Sequence, residues 1–151
     1  MRTSSLMEQI ITRIAQKHEV DLSVVGSRIN LSMEGYLPLV IEATQERQIQ
    51  IAHFFQENFD IVPDPCITFV VVSEGQWVPI DKTESIGGLR SFGYADDEKV
   101  VITDIQGQSE LVDYADRWAE DIRSLGWQDR ADVTISNPLD QLLKSEDWIP
   151  F

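Results

Sequence analysis

The chain has 151 residues, and its 26 acidic residues against 12 basic ones give a net charge of −14. Proteins that bind a phosphate backbone present a basic face, so this balance disfavours direct binding to nucleic acid. Cys66 is the single cysteine, which excludes an internal disulfide, and with two histidines the chain is short of ligands for a transition-metal site. No stretch reaches membrane-spanning length. We therefore expect a cytoplasmic protein with no metal, no cofactor and no membrane partner.

The first half of the chain changes from helical to strand periodicity. Residues 4–18 carry apolar side chains on one stripe, which predicts a helix. From Ser27 onward, apolar residues alternate with polar ones or form short β-branched runs, which predicts strands. The predicted strands cover residues 29–33, 37–43, 48–55 and 67–72. Residues 58–65 hold two prolines and two aspartates and are expected to form a loop.

The second half is predicted to add short strands and one long helix. Pro79 cannot donate a ladder hydrogen bond, so residues 77–80 are expected to form an edge strand. Residues 81–94 contain three glycines and are expected to be irregular, and residues 98–104 form the last predicted strand. Residues 109–125 place a wide apolar stripe at helical spacing, which predicts the clearest helix of the chain.

The order of these elements predicts the fold class. A helix, five or six strands and a second helix indicate a single α+β domain over residues 1–127. Its sheet is expected to be mostly antiparallel, with both helices on one face. Residues 128–151 are predicted to form a polar tail that ends in bulky apolar side chains. This tail either docks on the domain's own sheet or inserts into a partner.

Three stretches of the sequence together resemble a known family. The first is YLPLVIEATQERQIQIAHFFQENFDIVPDP, the second is the pair Trp77 and Pro79, and the third is LVDYADRWAEDIRSLGW. In this order and spacing they resemble an uncharacterised bacterial domain family that occurs in phages, plasmids and conjugative elements. The resemblance implies a shared fold and a mobile-element context, and it implies no particular reaction.

The sequence departs from the family pattern in one segment. Phe59 stands where the pattern has glycine, and Pro63 and Cys66 replace a basic and an acidic residue. A bulky residue disfavours the left-handed turn that glycine permits, so no such turn is expected at position 59.

His53, Asp60 and Asp64 are the candidate catalytic residues of the family-like motif. In a catalytic or ligand-binding role, His53 would be a general base or a metal ligand that a nearby carboxylate orients. In a structural role, His53 would point inward and hydrogen-bond the loop that follows, while both aspartates hold that loop. The alternation favours the structural role, because His53 shares a face with Ile49 and Ile51.

The negative charge is concentrated late in the chain. Residues 96–121 contain nine carboxylates and two cations, a net charge of −7. Such a surface can imitate a row of phosphates and bind a basic, nucleic-acid-binding protein, or it can serve as a solvated face that keeps the protein soluble. The predicted interaction residues are Asp96, Asp97, Glu98, Asp113, Asp116, Glu120 and Asp121, with Trp148 and Phe151 in the tail.

Three functional hypotheses follow from these observations. The leading one is a non-enzymatic interaction protein whose acidic helix face binds a basic partner protein, with Asp113, Asp116 and Glu120 on the solvent side of that helix. The second is an enzyme or ligand-binding domain that uses His53, Asp60 and Asp64. The third is an accessory subunit that forms a homo-oligomer or a larger assembly through its tail or a sheet edge.

Overall fold

The computed structural model describes residues 1–136 of the chain, and the predicted tail contacts Trp148 and Phe151 lie outside these residues. Three α-helices, one 3₁₀ helix (Ser73–Gly75) and nine strands occur among the described residues. The helices are α1 (Ser5–Lys17), α2 (Ile105–Leu125) and α3 (Trp127–Arg130). The strands are β1 (Arg28–Ser32), β2 (Leu39–Gln45), β3 (Gln48–Glu57), β4 (Asp60–Val71), β5 (Trp77–Glu84), β6 (Gly88–Ser91), β7 (Gly93–Asp96), β8 (Lys99–Ile102) and β9 (Asp132–Ser136).

The strands form one large antiparallel sheet and one hairpin, which confirms the α+β fold. The large sheet has seven strands, in the order β6-β5-β4-β3-β2-β1-β9, and β7 pairs with β8 separately. The sequence predicts five or six strands because it assigns residues 81–94 to an irregular segment and residues after 127 to a tail. In the structure, β5 continues to Glu84 and β6 follows the glycine turn.

Strand β9 lies in the region predicted to be tail. It pairs with β1 in antiparallel register, with Leu31 opposite Val133 and Arg28 opposite Ser136. Its five residues alternate between apolar and polar side chains, but the run is too short to predict a strand by periodicity alone. The open edge of β1 supplies the hydrogen-bonding partner, so the sheet extends beyond residue 127.

The turn between β3 and β4 differs from the expected loop. Only Asn58 and Phe59 separate the two strands, since β4 begins at Asp60. Both residues have positive φ angles, 51° and 74°, as the type I′ turn of a two-residue hairpin requires. Phe59 therefore adopts the left-handed conformation that its side chain disfavours, and its side chain is 96% exposed.

The main core lies between the two long helices and one face of the large sheet, as predicted. Apolar residues that alternate along β1–β5 pack against the buried stripes of α1 and α2. The β7–β8 hairpin packs on the other face, against Val70, Val78 and Ile80. The sheet is thus covered by helices on one side and partly by a hairpin on the other.

Helix α2 begins one turn before the predicted start at residue 109. Asp104 is its N-cap, and the Asp104 carboxylate accepts a hydrogen bond of 2.9 Å from the backbone N–H of Gly107. Gly126, with φ of 81°, ends the helix in the left-handed conformation. Within residues 1–136, no helix combines the length and the apolar character that crossing a membrane requires.

Candidate functional site

The acidic residues of the β7–β8 turn meet a second turn at one end of the large sheet. Arg47, in the β2–β3 turn, forms an ion pair of 3.3 Å with Glu98. A cavity of about 670 Å³ lies between the two turns. The residues that line it are Glu46, Arg47, Asp96, Asp97, Glu98 and Lys99. We call this the acidic turn cavity.

The acidic residues at the start of α2 contact the N-terminal segment. Arg2 forms an ion pair of 2.9 Å with Asp113. The hydroxyl of Ser4 donates a hydrogen bond of 2.7 Å to Asp116, which is half-buried and not on the predicted solvent face. The buried side chain of Gln108 further fixes this segment, because it donates to the carbonyl of Arg2 at 2.8 Å.

The remaining two predicted residues of α2 differ in their contacts. Glu120 forms an ion pair with Arg123 one turn along the helix. Asp121 is exposed, and among the described residues no cation lies within 4.0 Å of it. The acidic cluster of the sequence is therefore divided in space. Asp96, Asp97 and Glu98 face the β2–β3 turn, whereas Asp113 and Asp116 contact the N-terminal segment and Glu120 contacts its own helix.

His53 lies at a bulge in β3, between Ala52 and Phe54. Its Nδ1 atom is 3.2 Å from the carbonyl oxygens of Leu37 and Pro38, and its ring packs 5.5 Å from the Trp118 ring. It thus bonds the segment before β2 and not the loop that follows β3. The pKa of His53 is lowered, chiefly because burial disfavours the charged imidazolium.

Asp60 and Asp64 are not joined to His53 by hydrogen bonds. Asp60 is exposed and lies opposite Glu57 at the end of the β3–β4 hairpin. Asp64 accepts a hydrogen bond of 2.7 Å from the hydroxyl of Ser85. Among residues 1–136, no group of three or more histidine, cysteine or acidic side chains is placed to hold a metal ion.

A row of polar side chains crosses the sheet, and it was not predicted from the sequence. The antiparallel registers place Glu42, Gln50, Thr68 and Asp81 side by side, on β2 to β5. Burial raises the pKa of Asp81, an effect that hydrogen bonds from Thr68 partly offset. The sequence does show polar residues at alternate positions of each of these strands. Which of them become neighbours across the sheet depends on strand order and register.

Cys66 lies beside this row, on β4. Burial raises the pKa of the Cys66 thiol to about 11, and the charges of Asp81 and Glu42 act in the same direction. A thiol with this pKa is protonated at neutral pH and is a weak nucleophile. Cys66 therefore fits a buried structural position.

Comparison with known proteins places the chain in a family. Residues 7–128 match the model of a domain of unknown function, DUF6908. No curated protein and no solved structure matches the chain. The family match covers most of the chain, from α1 to the start of α3, and stops before β9. This chain therefore belongs to the DUF6908 family, a family of domains whose function is unknown.

Proposed function

We propose that this protein is a non-enzymatic interaction module that binds a basic partner protein at the acidic turn cavity. The main support for this proposal is the excess of negative charge in the lining of that cavity. Its lining holds four carboxylates and two cations, and Arg47 is already paired with Glu98. Among the described residues, no cation lies within 4.0 Å of the carboxylates of Glu46, Asp96 or Asp97. An arginine or lysine of a partner would compensate this excess.

The surrounding charge supports an encounter with a basic protein. The chain carries a net charge of −14, so its field attracts a positively charged partner and accelerates association at low salt. The three acidic residues of the β7–β8 turn are all exposed, so a partner can reach them without a change of fold. The affinity of such a contact falls as salt concentration rises, because the charges are screened over about 10 Å at 0.1 M salt.

The expected class of partner is a nucleic-acid-binding protein. A row of carboxylates can occupy the basic groove that otherwise binds phosphates. The mobile-element context implied by the family resemblance agrees with this role, since mobile elements often encode proteins that blunt host defences. The α2 carboxylates contribute less directly to the proposal, because Asp113, Asp116 and Glu120 already have partners within the chain.

A pair of charge-matched variants tests the proposal. The double variant Asp96→Asn with Asp97→Asn removes two carboxylates from the cavity. The control, Glu57→Gln with Asp60→Asn, removes two exposed carboxylates from a different hairpin end. We expect the wild type and the control to capture a basic protein from native lysate at low salt and to release it at high salt or when duplex DNA is added. The cavity variant is expected to lose capture.

Two results would contradict the proposal. One is equal capture by the cavity variant and the control, which would show that overall charge and not the cavity is responsible. The other is capture that survives high salt and duplex DNA, which would indicate an apolar contact elsewhere on the molecule.

A further inference from the structure

A small cavity with basic walls lies between α2 and the edge of the large sheet. Its volume is about 180 Å³, and it is lined by Lys82 of β5, Arg90 of β6 and Arg117 of α2. The chain has only 12 basic residues against 26 acidic ones, so three cations at one small cavity are unexpected. We call this the basic cavity.

The strand register brings two of these cations together. Lys82 and Arg90 are directly opposite each other in the antiparallel β5–β6 pair. Like charges at opposed positions repel and destabilise a sheet. Arg117 lines the same cavity from the helix side, which adds a third positive charge. Three cations therefore meet at one small cavity, and two of them form an unfavourable cross-strand pair.

The neighbouring carboxylates compensate only part of this charge. Lys82 forms an ion pair of 3.1 Å with Glu84 and also lies 4.2 Å above the Tyr114 ring. Glu110 lines the cavity, and its carboxylate accepts a hydrogen bond of 3.3 Å from Gln106.

Unlike Lys82, the two arginines of the basic cavity form no ion pair among the described residues. In the part of the chain that the structure describes, neither Arg90 nor Arg117 has a carboxylate oxygen within 4.0 Å. Two guanidinium groups are thus available to a ligand.

We propose that the basic cavity binds a small oxyanion, a phosphoryl or carboxylate group, between Arg90 and Arg117. A guanidinium group donates two parallel hydrogen bonds to such an anion, which gives both strength and orientation. The volume is below the range of about 300–1,000 Å³ that is typical of sites for drug-sized ligands, so the cavity suits one anionic group. Phe92 and Leu111 add apolar walls, and the exposed positions of Arg90 and Arg117 let an anion reach them from solvent.

This site is independent of the acidic turn cavity. It takes a ligand of the opposite charge, and it is built from β5, β6 and α2, none of which lines the acidic turn cavity. The proposed interaction with a basic partner and the proposed oxyanion site can therefore succeed or fail separately.

Titration of the 151-residue chain with inorganic phosphate, and separately with acetate, tests the proposal at constant ionic strength. We expect saturable binding of at least one anion with a Kd of about 1 mM or tighter. Arg117→Gln and Arg90→Gln are each expected to weaken binding about tenfold or more, because each removes a charge-assisted hydrogen bond. Arg117→Lys is expected to restore part of the affinity, since it keeps the charge and loses the two-pronged geometry.

Arg13→Gln is the matched control. Arg13 is exposed on α1, and the variant changes the net charge by the same amount as Arg117→Gln. A Kd unchanged in Arg13→Gln supports a local site, whereas equal weakening in both variants would refute it. Failure of both phosphate and acetate to bind near 1 mM would also refute it. Binding of phosphate alone identifies a phosphoryl site, and binding of acetate alone identifies a carboxylate site.

Discussion

Replacing Gly107 by alanine sets helix propensity against packing. Gly107 lies in the first turn of α2, where glycine is less favourable than alanine by about 1 kcal/mol. Helix propensity alone therefore predicts that Gly107→Ala stabilises the protein. The surroundings of Gly107 predict the opposite sign, because its side-chain space is already filled.

The magnitude follows from two contacts. A Cβ atom on Gly107 would lie 2.6 Å from Asp104 Oδ2 and 2.6 Å from Phe92 Cε1. Displacing the Phe92 ring is an overpacking change, which costs about 1–3 kcal/mol. Displacing the Asp104 carboxylate weakens the N-cap, which is worth about 0.5–2 kcal/mol. After the propensity gain of about 1 kcal/mol, we expect a net loss of about 0.5–4 kcal/mol in the free energy of unfolding.

Equilibrium unfolding in urea, followed by circular dichroism, measures this loss. Ser124→Ala is the control, because Ser124 is exposed in the same helix and gains propensity without a clash. Phe92→Ala combined with Gly107→Ala is expected to lose less than the sum of the two single variants, since the truncated ring no longer opposes the new methyl group. A Gly107→Ala protein more stable than wild type would refute the packing argument.

Two further predictions concern the β3–β4 hairpin and His53. Phe59→Gly is expected to raise the free energy of unfolding by about 0.5–1 kcal/mol. Glycine adopts the left-handed turn without the strain of a side chain, and the exposed Phe59 ring contributes little packing. Lower stability of the variant in urea unfolding would show that the ring makes stabilising contacts. The lowered pKa of His53 means that the unfolded chain binds a proton first as pH falls below the ordinary value of 6.5. The free energy of unfolding should then decrease from about pH 7 toward pH 5 more steeply in wild type than in His53→Gln. Glutamine is chosen because its amide can still donate to the Leu37 and Pro38 carbonyls. Identical pH profiles of the unfolding free energy in the two proteins would contradict this.

The surroundings of His53 could be predicted from the sequence only in part. The alternation along β3 predicts that His53 faces the core side, and its ring does pack against Trp118. Its hydrogen-bonding partners, the carbonyls of Leu37 and Pro38, could not be inferred, because they depend on the pairing of β2 with β3 and on the bulge beside His53. The binding of a basic partner stays a prediction that the proposed capture experiment addresses.

Local periodicity and composition were sufficient to determine the α+β class, the core stripe of α2, the strands β1 to β3, the second half of β4, the first half of β5 and the acidic excess. Each of these depends on side chains close together in the chain. Tertiary structure alone decided that β9 pairs with β1, that the acidic β7–β8 turn meets Arg47, and that Lys82, Arg90 and Arg117 meet at one cavity. These juxtapositions join residues far apart in sequence, so they follow from strand order, register and helix packing, which no local pattern encodes.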